Sequence, residues 1–179
     1  MPGPEVIVSI VSLAAVLAMM AGELMLSRAN EQILRRRGAV EPAGDVYRTL
    51  AWAYPVMFVL MAIEGAVAGP PPGVTTVLGA LLFLAAKGLK VWAISTLGSR
   101  WTFRVLVPPD VPLVSTGPYA WLRHPNYAAV FGEIVGVAML VGAPITGALS
   151  LMGFGILVRK RIAVEERALG RGRESLRDA

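Results

Sequence analysis

Long runs of apolar residues alternate with short polar or proline-rich breaks along this chain. A helix needs about 20 mostly apolar residues to cross a bilayer, because each residue adds about 1.5 Å. The apolar runs lie at residues 6–26, 49–68, 74–97, 126–142 and 144–158. The breaks at 69–73 and 142–144 contain prolines and glycines that favour tight turns. The pattern predicts an all-α, polytopic integral membrane protein with about five transmembrane helices, the last two forming a helical hairpin.

The basic residues indicate how these helices are oriented. All but two of the 17 lysines and arginines lie in three segments: the connection between the first and second spans, the long loop 98–124 and the tail 159–179. The two tight turns contain none. Basic loops stay in the cytoplasm. We therefore expect a single membrane-embedded domain over residues 1–179, in the inner (cytoplasmic) membrane, with its N-terminus outside and the long loop and tail on the cytoplasmic side.

Composition excludes several classes of function. Charged residues make up 16% of the chain, whereas a soluble domain carries about a quarter. The net charge of +5 fits membrane orientation, and no nucleic-acid-binding module is visible, so we expect no nucleic-acid partner. The chain has no cysteine and one histidine, which rules out thiolate and His-cluster metal sites.

Several ionisable residues fall inside the predicted spans, where charge is costly and often functional. Glu23 is expected to pair with Lys87 or Lys90. Lys90 is expected to extend its side chain to the inner surface, and Lys87 is left open. Glu64, near the outer end of its span, is expected to be solvated. Glu133 is left open between packing against another helix and serving a pocket.

The long loop is the best place in the sequence to look for chemistry, since long connections often carry function. Pro125 suits the first turn of a helix, which places His124 at the membrane surface, at the positive end of that helix. The hairpin turn returns the last helix to the same surface, where it carries Glu165 and Glu166. We therefore expect His124, Tyr127 and the two glutamates to share a pocket.

These residues carry a family resemblance. The stretch GPYAWLRHPNY at 117–127, a hydrophobic hairpin, and VEERAL at 164–169 resemble the isoprenylcysteine carboxyl methyltransferase family over about residues 95–170. The resemblance implies a membrane methyltransferase that uses S-adenosylmethionine, with Trp101 and Thr102 helping to cover the cofactor. It implies cofactor-binding roles for His124, Pro125, Tyr127, Tyr119, Glu165 and Glu166, and catalytic roles for His124 and Arg123.

The methyl acceptor stays open. The resemblance implies a lipophilic acceptor, such as a prenylcysteine carboxylate. The stretch ELMLSRANEQILRRRGAVE at 23–41 is similar to a bacterial branch that O-methylates alkylresorcinols or alkylpyrones, which adds a long-chain phenol or pyrone. A phospholipid amine is a third alternative. A phenol with a pKa near 10 needs a general base and a carboxylate with a pKa near 4 does not, so His124 is either a base or a cofactor contact.

Structural interpretations of the same residues also stay open. His124 and Pro125 can simply start a helix. The two glutamates can pair with Arg161 or Arg167 on a solvated helix. Outside enzymes, the alternatives are a small transporter lined by the intramembrane charges, which the lack of repeat symmetry weakens, and a membrane scaffold.

Overall fold

The computed structural model describes residues 3–109 and 113–175, with side chains as far as residue 168. Five helices follow one another: α1 (Pro4–Arg36), α2 (Tyr47–Ala68), α3 (Gly73–Leu97), α4 (Pro125–Val141) and α5 (Pro144–Ser175). Short 3-10 turns lie at Gly98–Arg100 and Gly117–Ala120. The described residues contain no β-strand, only an isolated bridge between Val40 and Val107. The all-α class is confirmed.

The lengths of the helices fit a membrane protein. In the described part of the chain, α1, α2 and α3 are long and apolar enough to cross a bilayer, and α4 is a shorter apolar helix of 17 residues. Helix α5 has 32 residues, apolar at its start and charged toward its end. Several apolar helices confirm the membrane class, whereas the count of about five crossings stays a prediction.

Two breaks in the apolar pattern shape the bundle. Gly69 ends α2, and prolines carry the chain into α3. Gly142 ends α4 in the left-handed conformation, with φ 75°, which glycine adopts at little cost. The next residue, Ala143, donates its N–H to the carbonyl of Ala138 at 2.8 Å. Helices α4 and α5 are thus joined by two residues, which confirms the helical hairpin.

Helices α3 and α4 pack almost backbone to backbone. A Cβ atom added at Gly136 would lie 2.7 Å from the backbone nitrogen of Phe83, and one at Gly79 would lie 2.5 Å from that of Leu140. Small residues allow such close approach between membrane helices. The contact fixes α4 against α3, and thereby fixes the position of residues at the start of α4.

A buried charge cluster joins four of the helices. Its members are Glu23 of α1, Lys87 and Lys90 of α3 and Glu133 of α4, with Tyr54 of α2 donating a hydrogen bond to Glu133. Lys87 lies 2.8 Å from Glu23 and 3.1 Å from Glu133, and Lys90 lies 2.6 Å and 3.3 Å from the same two carboxylates.

The cluster settles three of the expectations about charges within the spans. Glu23 does pair with the lysines, and Glu133 contacts side chains of two other helices. The expectation that Lys90 extends to the surface is wrong: its side chain is 2% exposed. Carboxylates of Glu23 and Glu133, both within 3.3 Å, offset the cost of burying the ammonium of Lys90.

Glu64 is partly exposed near the outer end of α2, as expected, and it also has backbone partners. It is half-buried and accepts the backbone N–H groups of Ile145 at 3.0 Å and Thr146 at 2.6 Å. These amides belong to the first turn of α5, where backbone donors lack partners within the helix. Glu64 therefore ties the end of α2 to the start of the hairpin's second helix.

Candidate active site

The start of α4 supports the first part of the site. Pro125 is buried as the first residue of the helix, and the carbonyl of His124 accepts the N–H of Tyr127 at 3.1 Å. The imidazole of His124 lies beside the ring of Tyr127, with 5.5 Å between the ring centroids. The start of the helix thus presents an imidazole and a phenol side by side.

The far part of α5 completes the pocket. The hydroxyl of Tyr127 donates to Glu165 at 3.0 Å and accepts from Nε of Arg161 at 2.8 Å. Nε2 of His124 lies 3.6 Å from a carboxylate oxygen of Glu166. The structure therefore brings His124, Tyr127 and the two glutamates together. We name this group, with Tyr119, the hairpin pocket.

Tyr119 approaches from the second 3-10 turn. Its side chain is half-buried. Burial, and to a smaller extent the charge of Glu165, raise the pKa of Tyr119 above its usual value of 10. The phenol of Tyr119 therefore lies within electrostatic reach of Glu165.

The expected covering residues have mainly structural partners. Trp101 is buried, its carbonyl accepts from the amide of Asn30 at 2.8 Å, and its indole N–H donates to Asn126 at 3.4 Å. Thr102 donates its hydroxyl to the carbonyl of Arg104 at 2.6 Å. Trp101 thus fastens the loop between α1 and the start of α4.

Arg123 directly precedes His124 in the chain but makes no hydrogen bond or ion pair with the pocket residues that the structure describes. Its side chain is exposed, and the described part of the chain offers it no hydrogen bond or ion pair. Trp121 nearby is 80% exposed and meets Trp92 edge to face, with 5.9 Å between the ring centroids. Arg123 is therefore an available cation beside the pocket.

Arg161 contacts Tyr127 in the hairpin pocket, and the sequence did not predict it as a site residue. Arg161, considered only as a partner for the glutamates, is buried and forms an ion pair with Asp45 at 3.1 Å. It also donates to the carbonyl of Phe103. Its position four residues before Glu165 places both on one face of α5, which was the available signal. Nothing in the sequence pointed to Asp45.

A second ion-pair group holds the same loop from outside the pocket. Arg104 lies 2.7 Å from Glu41 and 3.4 Å from Glu31, and Arg35 lies 2.6 Å from Glu41. Burial opposes ionisation of Glu41, but hydrogen bonds and charges of the two arginines outweigh it and lower the pKa of Glu41 below its usual 4.5.

The structure is thus a bundle of apolar helices with a cluster of polar side chains between the start of α4 and the far part of α5. The sequence profile of the isoprenylcysteine carboxyl methyltransferase family matches residues 77–171. The chain belongs to this family of membrane methyltransferases, which confirms the resemblance seen in the sequence. The match includes α4, the hairpin turn and the described side chains of α5, and it excludes Asp45.

Three relatives extend the comparison. The chain is 31% identical to the uncharacterized protein YpbQ of Bacillus subtilis over 157 residues, covering 88% of this chain and 94% of that protein. It is 22% identical to an uncharacterized protein of Haemophilus influenzae over 160 residues, covering 89% and 93%. It is 32% identical to the protein-S-isoprenylcysteine O-methyltransferase of Saccharomyces cerevisiae over 96 residues, covering 52% of this chain and 40% of the yeast protein.

Proposed function

We propose that this protein transfers a methyl group from S-adenosylmethionine to an oxygen of a lipophilic acceptor, in the hairpin pocket. The observation that carries the proposal is the hydrogen bond between Tyr127 and Glu165, beside the contact between His124 and Glu166. These side chains come from the two ends of the hairpin that the family profile matches. They form a polar site where the start of α4 meets the far part of α5.

The groups present fit the cofactor. S-adenosylmethionine has an ammonium, a carboxylate, ribose hydroxyls and a sulfonium. Carboxylates of Glu165 and Glu166 suit the ammonium and the hydroxyls, and the exposed Arg123 suits the carboxylate. The ring faces of Tyr119 and Tyr127 suit a sulfonium, as aromatic faces suit other cations. When bound, the cofactor supplies an electrophilic methyl group on a good leaving group.

The residues of the chain then have mainly a positioning task. Methyl transfer needs the acceptor oxygen in line with the methyl group and needs water excluded. Tyr127, fixed by Arg161 and Glu165, gives one rigid wall. The loop fastened by Trp101 gives another. An acceptor with a long apolar tail reaches this site from the bilayer, while a charged cofactor reaches it from water.

His124 has one of two roles, depending on the acceptor. A carboxylate acceptor is ionised at neutral pH, so His124 then only contacts the cofactor, whereas a phenol needs a base. With a phenolic acceptor we expect His124→Gln to lower kcat about 100-fold or more while the Kd of S-adenosylhomocysteine changes much less. Wild-type kcat toward a phenol in His124→Gln would exclude His124 as the base.

The orientation belongs to the proposal as well. The basic residues favour five crossings, with the N-terminus outside and the hairpin pocket on the cytoplasmic side. Because the chain contains no cysteine, single-cysteine variants report topology directly. We expect an impermeant thiol reagent to label Gly73→Cys in intact cells and Arg37→Cys only after lysis. The reverse pattern would contradict the orientation.

Cofactor binding is tested first by thermal stabilisation with S-adenosylhomocysteine. A ligand at 100 times its Kd adds about 2.7 kcal/mol to the stability of the folded state. For a chain of this length that corresponds to a melting temperature about 5–10 °C higher. Folded protein with no shift at millimolar ligand would refute the methyltransferase proposal and favour a scaffold or a transporter.

The acceptor is identified by its product. Membrane lipid extracts, a prenylcysteine and a long-chain resorcinol are each incubated with the enzyme and methyl-labelled cofactor. We expect alkali-labile label on a carboxylate acceptor and alkali-stable label on a phenol or pyrone. Label on a phospholipid amine would show that the enzyme methylates nitrogen, and would contradict O-methylation.

A further inference from the structure

We propose that Asp45 is a positioning residue for the hairpin pocket, acting through Arg161 on Tyr127. This inference rests on the proposed function, and it concerns a residue outside the segment that the family profile matches. Asp45 lies in the connector between α1 and α2, which we define as residues 37–46. Its link to the pocket is a chain of three contacts.

The first contact is the ion pair between Asp45 and Arg161. Oδ1 of Asp45 accepts from Arg161 at 3.1 Å, and the two side chains are 4% and 7% exposed. A buried cation that loses its partner is strongly disfavoured. The carboxylate of Asp45 therefore determines where the guanidinium of Arg161 rests, and Coulomb attraction at this depth is weakly screened by salt.

The second contact comes from the guanidinium of Arg161, which donates hydrogen bonds to three protein groups. Its Nε donates to the hydroxyl of Tyr127 at 2.8 Å, one terminal nitrogen donates to Asp45, and the other donates to the carbonyl of Phe103. Each of the three nitrogens already has a protein acceptor. Three of the five N–H donors of the guanidinium therefore support protein groups, Tyr127 among them, and the exposed Arg123 is the more accessible cation for an anionic ligand group.

The third contact is the hydrogen bond from the hydroxyl of Tyr127 to Glu165. Because the hydroxyl accepts from Arg161, its own proton is directed to Glu165 at 3.0 Å. Asp45 in the connector thus determines the direction of the hydrogen bonds: it holds Arg161, Arg161 donates to Tyr127, and Tyr127 donates to Glu165. Without the arginine, the hydroxyl is free to rotate and the carboxylate loses a fixed donor.

The aspartate is itself firmly held. Its second oxygen accepts the N–H of Val105 at 2.9 Å, and Oδ1 also accepts the N–H of Tyr47 at 3.1 Å, at the start of α2. At neighbouring Gly44, an added Cβ would lie 3.9 Å from the side chain of Val164, so the connector runs along α5. Asp45 therefore joins the connector, the long loop and α2 to the pocket.

The connector offers a matched control. Glu41 also pairs the connector with the long loop, through Arg104 at 2.7 Å. It has no contact with Tyr127 among the described residues. Glu41→Gln therefore removes the same charge and loosens the same two segments, but leaves the support of Tyr127 intact.

The experiment is calorimetric titration of S-adenosylhomocysteine into purified protein, well below the melting temperature, with a stoichiometry near one as the check on folding. We expect Asp45→Asn to raise Kd about 10-fold or more, as loss of a charged hydrogen bond does, and Glu41→Gln to stay within about 2-fold of wild type. We expect Asp45→Glu to recover part of the affinity. A purely structural role would lower the melting temperature and leave Kd unchanged.

If Asp45→Asn does not fold, Arg161→Lys provides the test. It keeps a positive charge opposite Asp45, but a single ammonium cannot serve Tyr127, Asp45 and Phe103 together, so we again expect Kd to rise about 10-fold. Wild-type affinity in the folded variant refutes the inference and leaves the proposed function intact. No binding by the wild type refutes the proposed function, and the positioning role with it.

Discussion

The buried charge cluster gives the sharpest prediction about stability. The two glutamates and two lysines balance in charge, and Lys90 and Glu133 are both buried. Glu133→Gln keeps the size of the side chain and an acceptor for Tyr54, but removes one negative charge between Lys87 at 3.1 Å and Lys90 at 3.3 Å. The substitution therefore isolates the effect of an unbalanced buried charge.

The expected loss is large. Removing one partner of a buried ion pair costs about 3–5 kcal/mol, and each kcal/mol shifts the melting temperature of a chain of this length by about 2–4 °C. We therefore expect Glu133→Gln to melt at least about 6 °C below wild type in the same detergent. Glu41→Gln, which breaks a more exposed ion pair, is expected to change stability by less than about 1 kcal/mol.

A second substitution tests the cause of the loss. In Glu133→Gln combined with Lys90→Met, the charges balance again, because Glu23 and Lys87 remain paired at 2.8 Å. We expect the double variant to be more stable than the sum of the single losses predicts, by about 1–3 kcal/mol. Additive losses, or a Glu133→Gln protein that melts within about 2 °C of wild type, would refute the charge-balance explanation.

Further predictions concern packing and pH. Gly136→Ala should lower the stability by about 1–3 kcal/mol, because the new methyl group would lie 2.7 Å from the backbone of Phe83. Gly88→Ala should raise the stability slightly, because the new methyl group meets nothing within 4 Å and alanine favours the helix. Thermal melts compare the two variants with wild type. Because the folded state lowers the pKa of Glu41 below 4.5, ionised Glu41 stabilises the protein above about that pH, and the contribution is lost as the pH falls through the lowered pKa. Melting temperature followed from pH 7 to 3 should therefore fall less in Glu41→Gln than in wild type, and equal falls would contradict the assignment.

Helix bounds followed from the sequence wherever prolines and glycines end an apolar run. The apolar runs 49–68 and 74–97 coincide with α2 (Tyr47–Ala68) and α3 (Gly73–Leu97) within two residues. Helix α5 continues past its apolar run, as expected of a helix that carries Glu165 and Glu166, whereas α1 continues to Arg36, beyond its predicted span. Hydropathy detects where a helix leaves the membrane, and a helix with a polar end continues beyond that point.

The same contrast applies to the candidate site. The short hairpin turn required the start of α4 and the far part of α5 to meet, so the approach of Tyr127 to Glu165 followed from chain geometry. Arg161 and Asp45 are 116 residues apart in the chain, and a contact between residues so far apart produces no periodic pattern in the sequence. Lys90 was misjudged for a similar reason, since its burial depends on carboxylates from two other helices.

Calorimetric binding of S-adenosylhomocysteine to wild type, Tyr127→Phe, Glu165→Gln and Glu64→Gln tests whether the cofactor binds in the hairpin pocket. We expect one site per chain, affinity weakened about 10-fold or more by Tyr127→Phe and Glu165→Gln, and affinity unchanged by Glu64→Gln, which removes a carboxylate charge of α2 that contacts the opposite end of α5. Wild-type affinity in Glu165→Gln, or equal weakening by Glu64→Gln, would contradict the placement of the cofactor in the hairpin pocket.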